Sequence, residues 1–391
     1  MKESGLKRLG MYFHIPFCVK KCLYCDFLSA PADEATKKGY MEALCEETAG
    51  SALKYKKYGV ETIFLGGGTP SVVPVEWVEG LISVIREHYH MEQCSEVTME
   101  VNPGTVSPQA LERYKMAGVN RLSIGLQSSH NEELAVLGRV HTWEQFMETY
   151  QAARDVGFDN INVDLMSALP GQTLSRYRET LENVVALTPS PEHISAYGLI
   201  LEEGTPFYVN YEKGCLAVPD EDTDRVMYHE TKRFLEKMGY HRYEISNFAR
   251  EGYECRHNCG YWQREEYVGF GIGAASLIEN VRFQNSSDLK HYLQEPMGCG
   301  QGFHVLNRRE QMEEFMFLGL RMTEGVSLEV FQKLFGCTME SVYGDVIQKN
   351  RQEGLLEIFS GSRTDEDCVR LALTEFGIDV SNYVMAQFLL S

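Results

Sequence analysis

Three cysteines near the amino terminus have the spacing of a metal-binding loop. Cys18, Cys22 and Cys25 lie in the segment HIPFCVKKCLYCDF, which gives the pattern C-x3-C-x2-C. Iron–sulfur clusters are bound by cysteine thiolates, and thiolates this close together can bind one [4Fe-4S] cluster. Three ligands for four irons leave one iron open, and an open coordination position is typical of catalytic rather than structural metal centres.

Two other interpretations of these cysteines were weighed against the cluster. A structural zinc site has four Cys or His ligands, and the only nearby candidate for the fourth, His14, lies too close to the first predicted strand. Chance spacing is the second alternative, because the chain contains 11 cysteines and most of them are expected to be small buried side chains. Motifs further along the chain favour the cluster.

A glycine-rich turn and several polar residues follow the predicted strands. The turn, GGGTP at 66–70, contains Gly67, Gly68 and Thr69, and its glycines allow a ligand to approach the backbone. The polar residues are Glu100, Gln127, Arg139 and Asp164. Singly, each is more often an ordinary loop residue. Together they suit a zwitterionic nucleoside, because an arginine can pair with its carboxylate and acids can hold its ammonium or ribose hydroxyls.

The elements that must position these residues are predicted from hydrophobic periodicity. Short apolar runs alternate with helix-period segments, which predicts βα units and a parallel sheet. Strands are predicted at 11–15, 62–65, 97–101, 122–126, 161–166 and 193–199, and helices near 35–57, 75–89, 108–117, 143–156 and 174–187. Six such units predict an α/β fold, a partial (β/α)6 barrel similar to a TIM barrel, with its chemistry at the carboxyl ends of the strands.

The second half of the chain follows a different pattern. A helix is predicted at 221–238, and an aromatic, glycine-rich stretch follows at 240–278. Amphipathic helices are predicted at 313–320, 328–335 and 339–350, strand-like pieces near 355–359 and 368–374, and a last helix ending at 390. The chain is therefore divided into a barrel core at 1–205, a barrel extension at 206–305, and a small C-terminal, mainly helical domain at 306–391 that resembles a winged helix.

The cysteine loop resembles that of the radical S-adenosylmethionine (SAM) superfamily, in which an aromatic residue such as Tyr24 precedes the last cysteine. The resemblance implies a radical SAM barrel whose open iron binds the amino and carboxylate groups of SAM. Reductive cleavage of SAM then gives a 5′-deoxyadenosyl radical. The turn at 66–70 resembles the GGGTP motif of the superfamily, which contacts the amino group of SAM.

Over nearly the whole chain, the sequence is similar to the oxygen-independent coproporphyrinogen III oxidase branch of this superfamily. The similarity includes YEISNFA at 243–249 and LTEFGIDVSNYV near the C terminus. It implies that SAM also contacts Tyr12, Gly198 and Ala275, beside the polar residues named above. Two departures argue against a decarboxylase. The oxidase motif continues to a fourth cysteine, which is Phe27 here, and the oxidases carry a longer segment before the cluster loop.

The segment HNCGYW, which begins at His257, resembles the HNxxYW signature of HemW-type haem chaperones. The resemblance implies haem binding with His257 as an axial ligand, and imidazole is a good ligand for haem iron. Tyr261 and Trp262 offer flat apolar faces to a porphyrin. The alternative is that His257 is an ordinary buried histidine. Cys255 and Cys259 flank it, but the C-x-x-C-H pattern of covalent haem attachment is absent, so buried free thiols are expected.

Charge and hydropathy narrow the range of partners. The net charge of −19 would repel nucleic acid and anionic membrane surfaces, so no nucleic acid partner is expected. The amino terminus lacks the apolar run of a signal peptide, and the most apolar stretch, 267–278, is shorter than the ~20 residues that span a bilayer. An odd number of cysteines without an export signal argues against disulfides. A cytoplasmic protein is expected.

Three functions are compatible with these patterns. The first is a haem chaperone that binds a [4Fe-4S] cluster, SAM and haem and delivers haem to apo-haemoproteins, for instance of the respiratory chain. A homodimer and peripheral association with membrane respiratory proteins are open alternatives within it. The second is an oxygen-independent coproporphyrinogen III oxidase that forms protoporphyrinogen IX. The third is a radical SAM methyltransferase.

Overall fold

The computed structural model describes residues 5–361 and 368–390. Within these ranges the strands are β1 (Lys7–Ile15), β2 (Tyr58–Gly67), β3 (Glu96–Val101), β4 (Arg121–Gln127), β5 (Ile161–Ser167), β6 (His193–Gly198), β7 (His241–Arg242), β8 (Asn247–Ala249), β9 (Tyr267–Phe270), β10 (Ala275–Ile278), β11 (Val281–Asn285), β12 (Gly300–Val305), β13 (Val326–Ser327), β14 (Leu356–Ser360) and β15 (Val369–Leu373).

The helices of the described residues are α1 (Glu34–Ser51), α2 (Val75–His88), α3 (Pro108–Ala117), α4 (Asn131–Leu137), α5 (Trp143–Asp155), α6 (Leu174–Val185), α7 (Pro206–Glu212), α8 (Glu221–Lys237), α9 (Arg256–Trp262), α10 (Leu289–Gln294), α11 (Arg308–Gly319), α12 (Leu328–Phe335), α13 (Met339–Gln352), α14 (Glu375–Asp379) and α15 (Ser381–Ala386). None of them has the length and apolarity of a bilayer-spanning helix.

Six parallel strands, β1 to β6, pair in chain order and form the barrel wall. Strand β9 extends the wall by pairing in parallel with β1, and β8 pairs antiparallel with β6 at the other side. Strand β4 is buried along its whole length, as expected for a parallel strand covered on both faces. The partial (β/α)6 barrel expected from the sequence is confirmed.

The structure differs from the sequence prediction where short elements have no clear periodicity. Strand β2 begins at Tyr58, four residues before its predicted start, and the helix predicted to reach residue 57 gives way to a 3-10 turn at Ala52–Tyr55. Helix α4 was not predicted; it is a short helix that ends at Gly138 in the left-handed region, with φ 76°. The stretch 240–278 contains four short strands and α9. Pairing with the strands of the barrel stabilises these short strands.

The C-terminal part has a hydrophobic core of its own, built on Met316, Phe331, Tyr343, Leu371 and Phe388. Helices α11 to α15 surround the three-stranded antiparallel sheet β13-β15-β14. This confirms the expected mainly helical domain with a small β element. The predicted last helix is two short helices, α14 and α15, and residues 362–367, within the stretch between the predicted strand-like pieces, lie outside the described residues.

Replacement of Phe331 tests this second core. Its side chain is 0% exposed, so Phe331→Ala should lower the free energy of unfolding by about 3–5 kcal/mol through lost burial and a cavity. Leu334→Ala on the same helix is the matched control, because Leu334 is 62% exposed and should change the stability by only about 0.5 kcal/mol. Urea unfolding of the full chain measures both, and equal effects would contradict the packing described here.

Candidate cluster and cofactor site

The cysteine loop begins where β1 ends and is held by backbone hydrogen bonds. The amide of Gly68 donates to the carbonyl of Ile15 at 2.9 Å, and the amide of Thr69 donates to the carbonyl of Phe17 at 2.7 Å. Further along the loop, the amide of Leu23 donates to the carbonyl of Leu137 at 3.0 Å. The turn after β2 and the end of α4 therefore fix the loop at the carboxyl ends of the strands.

Three cysteine side chains of this loop line one open pocket of about 700 Å³, which we call the cluster pocket. Among the described residues, no group of three or more His, Cys, Asp or Glu converges on a single-ion position. A cubane does not require such convergence, because its thiolates bind different irons. The pocket also contains the other predicted residues Gly67, Gly68, Thr69, Glu100, Gln127, Arg139 and Asp164.

The turn after β2 requires glycines because it lies very close to the chain around His14 and Phe17. Gly67 has φ 111°, which favours glycine, and a Cβ there would collide with the ring of His14. At Gly68, a Cβ would lie 2.7 Å from the carbonyl oxygen and 2.8 Å from the amide nitrogen of Phe17. The second collision is with backbone, which a side-chain rotation cannot relieve.

Two half-buried acids, Glu100 and Asp164, line the cluster pocket. Burial, with a smaller contribution from Asp164, raises the pKa of Glu100 to about 8. Burial also raises the pKa of Asp164, although Ser123 and Asn162 donate hydrogen bonds to its carboxylate at 3.2 and 2.7 Å. Two acids whose charged forms are disfavoured by desolvation in an open pocket are suited to a cationic ligand, which would stabilise the ionised form.

Gln127, the last residue of β4, and Arg139 complete the set. Gln127 has φ 75°, an unusual backbone conformation for a residue other than glycine, and it lies at an irregularity in the β4–β5 pairing. Arg139 is half-buried, and its Nη2 donates to the carbonyl of Gly125 at 2.7 Å. Its Nε has no partner among the described residues. Strained backbone and a polar side-chain atom without a partner are both common at ligand sites.

These observations fit a [4Fe-4S] cluster with SAM beside it. Three thiol groups supply cluster ligands, the two acids suit an ammonium group, and the guanidinium of Arg139 suits a carboxylate. The glycine turn leaves backbone accessible in the same pocket. The residues of the cluster pocket therefore match both groups in charge and in chemical type.

Three residues expected at the SAM site lie outside the lining of the cluster pocket. Tyr12 and Ala275 line a different cavity, and Gly198 is the last residue of β6, close to Asp224. Conversely, Asn102 lines the cluster pocket but was not predicted from the sequence. Its only signal was its place two residues after Glu100 at the end of β3.

His257 lies beneath the site, in the interior of the barrel. Its ring is 3% exposed and packs on Phe64, with centroids 5.3 Å apart. The Nδ1 lies 2.8 Å from the hydroxyl of Thr62, and the Nε2 lies 3.0 Å from the hydroxyl of Tyr261. Burial lowers the pKa of His257 to about 4, so the imidazole is neutral at physiological pH.

Helix α9, which carries this histidine, forms the floor of the barrel. Its first amides, those of Arg256 and His257, donate to the carboxylate of Glu96 at 2.8 and 3.1 Å. Cys255 is fully buried and its thiol donates to the same carboxylate at 3.5 Å. Burial raises the pKa of the Cys255 thiol to about 12 and also raises that of Cys259. Both cysteines are therefore neutral thiols within the fold, as expected from the sequence.

Replacement of Gly68 tests whether the close contact between the glycine turn and the backbone of Phe17 holds the cysteine loop in place. Gly68→Ala should displace the loop, because the added Cβ collides with the backbone of Phe17, and the anaerobically reconstituted protein should then bind less iron. Gly80→Ala is the control, since nothing lies within 4 Å of a Cβ there. Iron analysis and visible absorbance report the outcome, with the Cys18→Ala, Cys22→Ala and Cys25→Ala triple variant as the baseline. Full iron binding by Gly68→Ala would contradict this role of the contact.

Glu100 predicts a pH dependence of SAM binding. Because its pKa in the free protein is about 8, a cation that needs the carboxylate must displace a proton at lower pH. The affinity should rise with pH by up to about tenfold per pH unit between about pH 6 and about pH 7.5 and level off near the pKa. Calorimetry on cluster-loaded protein measures this. Glu100→Gln should bind SAM more weakly with a flatter profile, and equal slopes would refute the role of Glu100.

Comparison with known proteins agrees with this geometry. The model of the Radical SAM superfamily matches residues 12–184, and that of the HemN C-terminal domain matches residues 306–362. Among solved structures, "Coproporphyrinogen III oxidase (HemN) from Escherichia coli is a Radical SAM enzyme" superposes with a TM-score of 0.84 at 21% identity, over 99% of this chain and 91% of that chain. This likeness establishes the fold.

Similarity in sequence identifies the family more narrowly than similarity in fold. Heme chaperone HemW of Lactococcus lactis subsp. lactis (strain IL1403) is 37% identical, over 97% of this chain and 97% of that protein. Heme chaperone HemW of Bacillus subtilis (strain 168) is 38% identical, over 88% and 92%. A [4Fe-4S] cluster and SAM are the cofactors of the superfamily, and the cluster pocket fits both. The chain therefore belongs to the radical SAM superfamily and, within it, to the HemW family.

Proposed function

We propose that this protein is a haem chaperone that carries a [4Fe-4S] cluster and SAM and delivers haem to apo-haemoproteins. The observation that carries the proposal is the 37% identity to Heme chaperone HemW of Lactococcus lactis, which extends over nearly the full length of both chains. Location in the cytoplasm and the three-part domain division belong to the same proposal and rest on the sequence. A homodimer and peripheral contact with membrane respiratory proteins are open alternatives within it.

Residues of the cluster pocket supply the cofactor part of the proposal. Cys18, Cys22 and Cys25 are the proposed cluster ligands. The proposed SAM contacts that line the same pocket are Gly67, Gly68, Thr69, Glu100, Gln127, Arg139 and Asp164. Tyr12, Gly198 and Ala275 are proposed SAM contacts on the strength of the family resemblance alone.

A second cavity supports the haem part. It has a volume of about 700 Å³ and is lined mainly by aromatic and apolar side chains, with one cation; we call it the aromatic pocket. Its residues are Tyr12, Tyr261, Trp262, Tyr267, Ala275, Leu277, Arg282 and Leu318. A planar apolar ligand with carboxylate substituents suits such a lining, because aromatic faces pack on the ring and an arginine pairs with a carboxylate.

His257 is the proposed axial ligand, and Tyr261 separates it from the aromatic pocket. The neutral imidazole is the form that binds a metal, and burial keeps His257 neutral. Its Nε2 lies 3.0 Å from the hydroxyl of Tyr261, a residue of the pocket wall. Ligation of haem iron by Nε2 therefore requires the Tyr261 side chain to swing away and give up this contact.

Coproporphyrinogen oxidation is the rival activity. The fourth cysteine of the oxidase motif is replaced by Phe27, whose side chain is 62% exposed at the rim of the cluster pocket. An exposed phenylalanine cannot supply a thiolate there. The resemblance to the solved oxidase concerns the fold, which different activities share.

Haem titration of the anaerobically prepared protein, beside a coproporphyrinogen turnover assay, tests the proposal. Haem should give a Soret band that His257→Ala shifts or abolishes. Tyr261→Phe should bind haem several-fold more tightly, because the imidazole then has no hydroxyl to give up. His304→Ala is the matched control, since that histidine is 57% exposed and should leave the spectrum unchanged.

Each outcome of this experiment bears on a separate part of the proposal. Formation of protoporphyrinogen by reduced, cluster-loaded protein with SAM would overturn the chaperone function in favour of the oxidase. Methyl transfer from labelled SAM would favour the methyltransferase. An unchanged Soret band in His257→Ala, with full haem binding, would refute His257 as the ligand but leave haem binding intact.

A further inference from the structure

A hydrogen-bonded bridge connects two of the three cysteine thiols across the cluster pocket. Asn102, directly after β3, donates from Nδ2 to the hydroxyl of Thr69 at 2.7 Å and accepts from Nη2 of Arg139 at 2.7 Å. The hydroxyl of Thr69 lies 3.7 Å from Sγ of Cys18, and Nη1 of Arg139 lies 3.7 Å from Sγ of Cys22. We call Thr69, Asn102 and Arg139 the thiolate bridge.

The direction of each hydrogen bond in the bridge follows from the donors available. A guanidinium has no acceptor, so the Oδ1 of Asn102 must face Arg139 and its Nδ2 must face Thr69. Because the Thr69 oxygen accepts from Nδ2, its own proton is free to point at Cys18. The sulfurs of Cys18 and Cys22 thus each receive one donor whose orientation depends on Asn102.

We propose that Asn102 is a positioning residue that directs the Thr69 and Arg139 donors at the cluster thiolates and thereby sets the reduction potential of the cluster. Hydrogen bonds to cluster sulfurs and net charge are main determinants of that potential. A donor stabilises the more negative, reduced form, so the intact bridge raises the potential. The inference rests on the cluster assignment and is independent of haem delivery.

The amide at position 102 is chemically specific. An aspartate there could still accept from Arg139, but it could not donate to Thr69. The hydroxyl of Thr69 would then turn its proton to the carboxylate, and Cys18 would lose its donor. Thr69 is 2% exposed, so water cannot easily replace the lost hydrogen bond.

The test is a redox titration of the cluster in single and double variants. Dithionite supplies the single electron, no bond breaks, and electron paramagnetic resonance counts the reduced cluster. Thr69→Val and Asn102→Asp should keep full iron content while the reduced-to-oxidised ratio at fixed potential falls about tenfold, which is a shift of about 59 mV for one electron. Thr69→Ser keeps the hydroxyl and should restore the original ratio.

The double variant and a charge control separate the bridge from simple charge effects. If the bridge operates, Asn102→Asp removes the Cys18 donor already, so adding Thr69→Val should change the potential little further. Asn382→Asp adds the same charge at an exposed position of the C-terminal part and should have no effect.

Two results would overturn the proposal: full iron content with an unchanged potential in Thr69→Val, or equal potentials in Thr69→Val and Thr69→Ser. If Asn102→Asp loses iron, the comparison of Thr69→Val with Thr69→Ser alone tests the proposal. Haem titration of the same variants should match the unmodified protein, so failure of this inference and failure of the proposed function give different results.

Discussion

The contact between the turn after β2 and the backbone after β1 is the constraint on which the rest of the site depends. Gly68 and Thr69 donate to the carbonyls of Ile15 and Phe17, and only a residue without a Cβ permits this approach at Gly68. Since the cysteine loop starts at this point, the strand pair fixes its beginning, and the hydrogen bond from Leu23 to Leu137 at the end of α4 holds the loop further along. Catalytic groups must be held within fractions of an ångström, and strand ends are rigid enough to do so.

Electrostatics give the cluster pocket its selectivity in a protein of net charge −19. Glu100 on β3 and Asp164 on β5 lie on either side of β4, and desolvation makes their charged forms costly. Arg139 is held near the end of the same strands by Asn102, directly after β3, and by Gly125 of β4. The pocket therefore presents separate sites for a cation and for a carboxylate, and this separation can orient a zwitterionic ligand.

The floor of the barrel links the haem proposal to the fold. Glu96 at the start of β3 binds the first amides of α9, so the helix that carries His257 is anchored to the barrel wall. Both ring nitrogens of His257 already have hydroxyl neighbours. In this conformation the histidine stabilises the floor, and haem ligation requires a rearrangement at Tyr261. The structure shows His257 as a buried, hydrogen-bonded histidine, and the proposed ligation of haem would be a second state of the same residue.

Local signals in the sequence were enough to predict the barrel, the mainly helical C-terminal domain and most of the polar residues of the cluster pocket. Strand and helix periodicity, C-x3-C-x2-C and the GGGTP turn each lie within a short segment. The exact starts of β1 and β2, helix α4 and the elements within 240–278 did not follow from the sequence, because short segments acquire their structure from pairing with distant strands. Asn102 was missed for the same reason. Its role exists only because strand packing brings Thr69 and Arg139, 33 and 37 residues away in sequence, to the two ends of its amide, and only the tertiary structure could place these three side chains together.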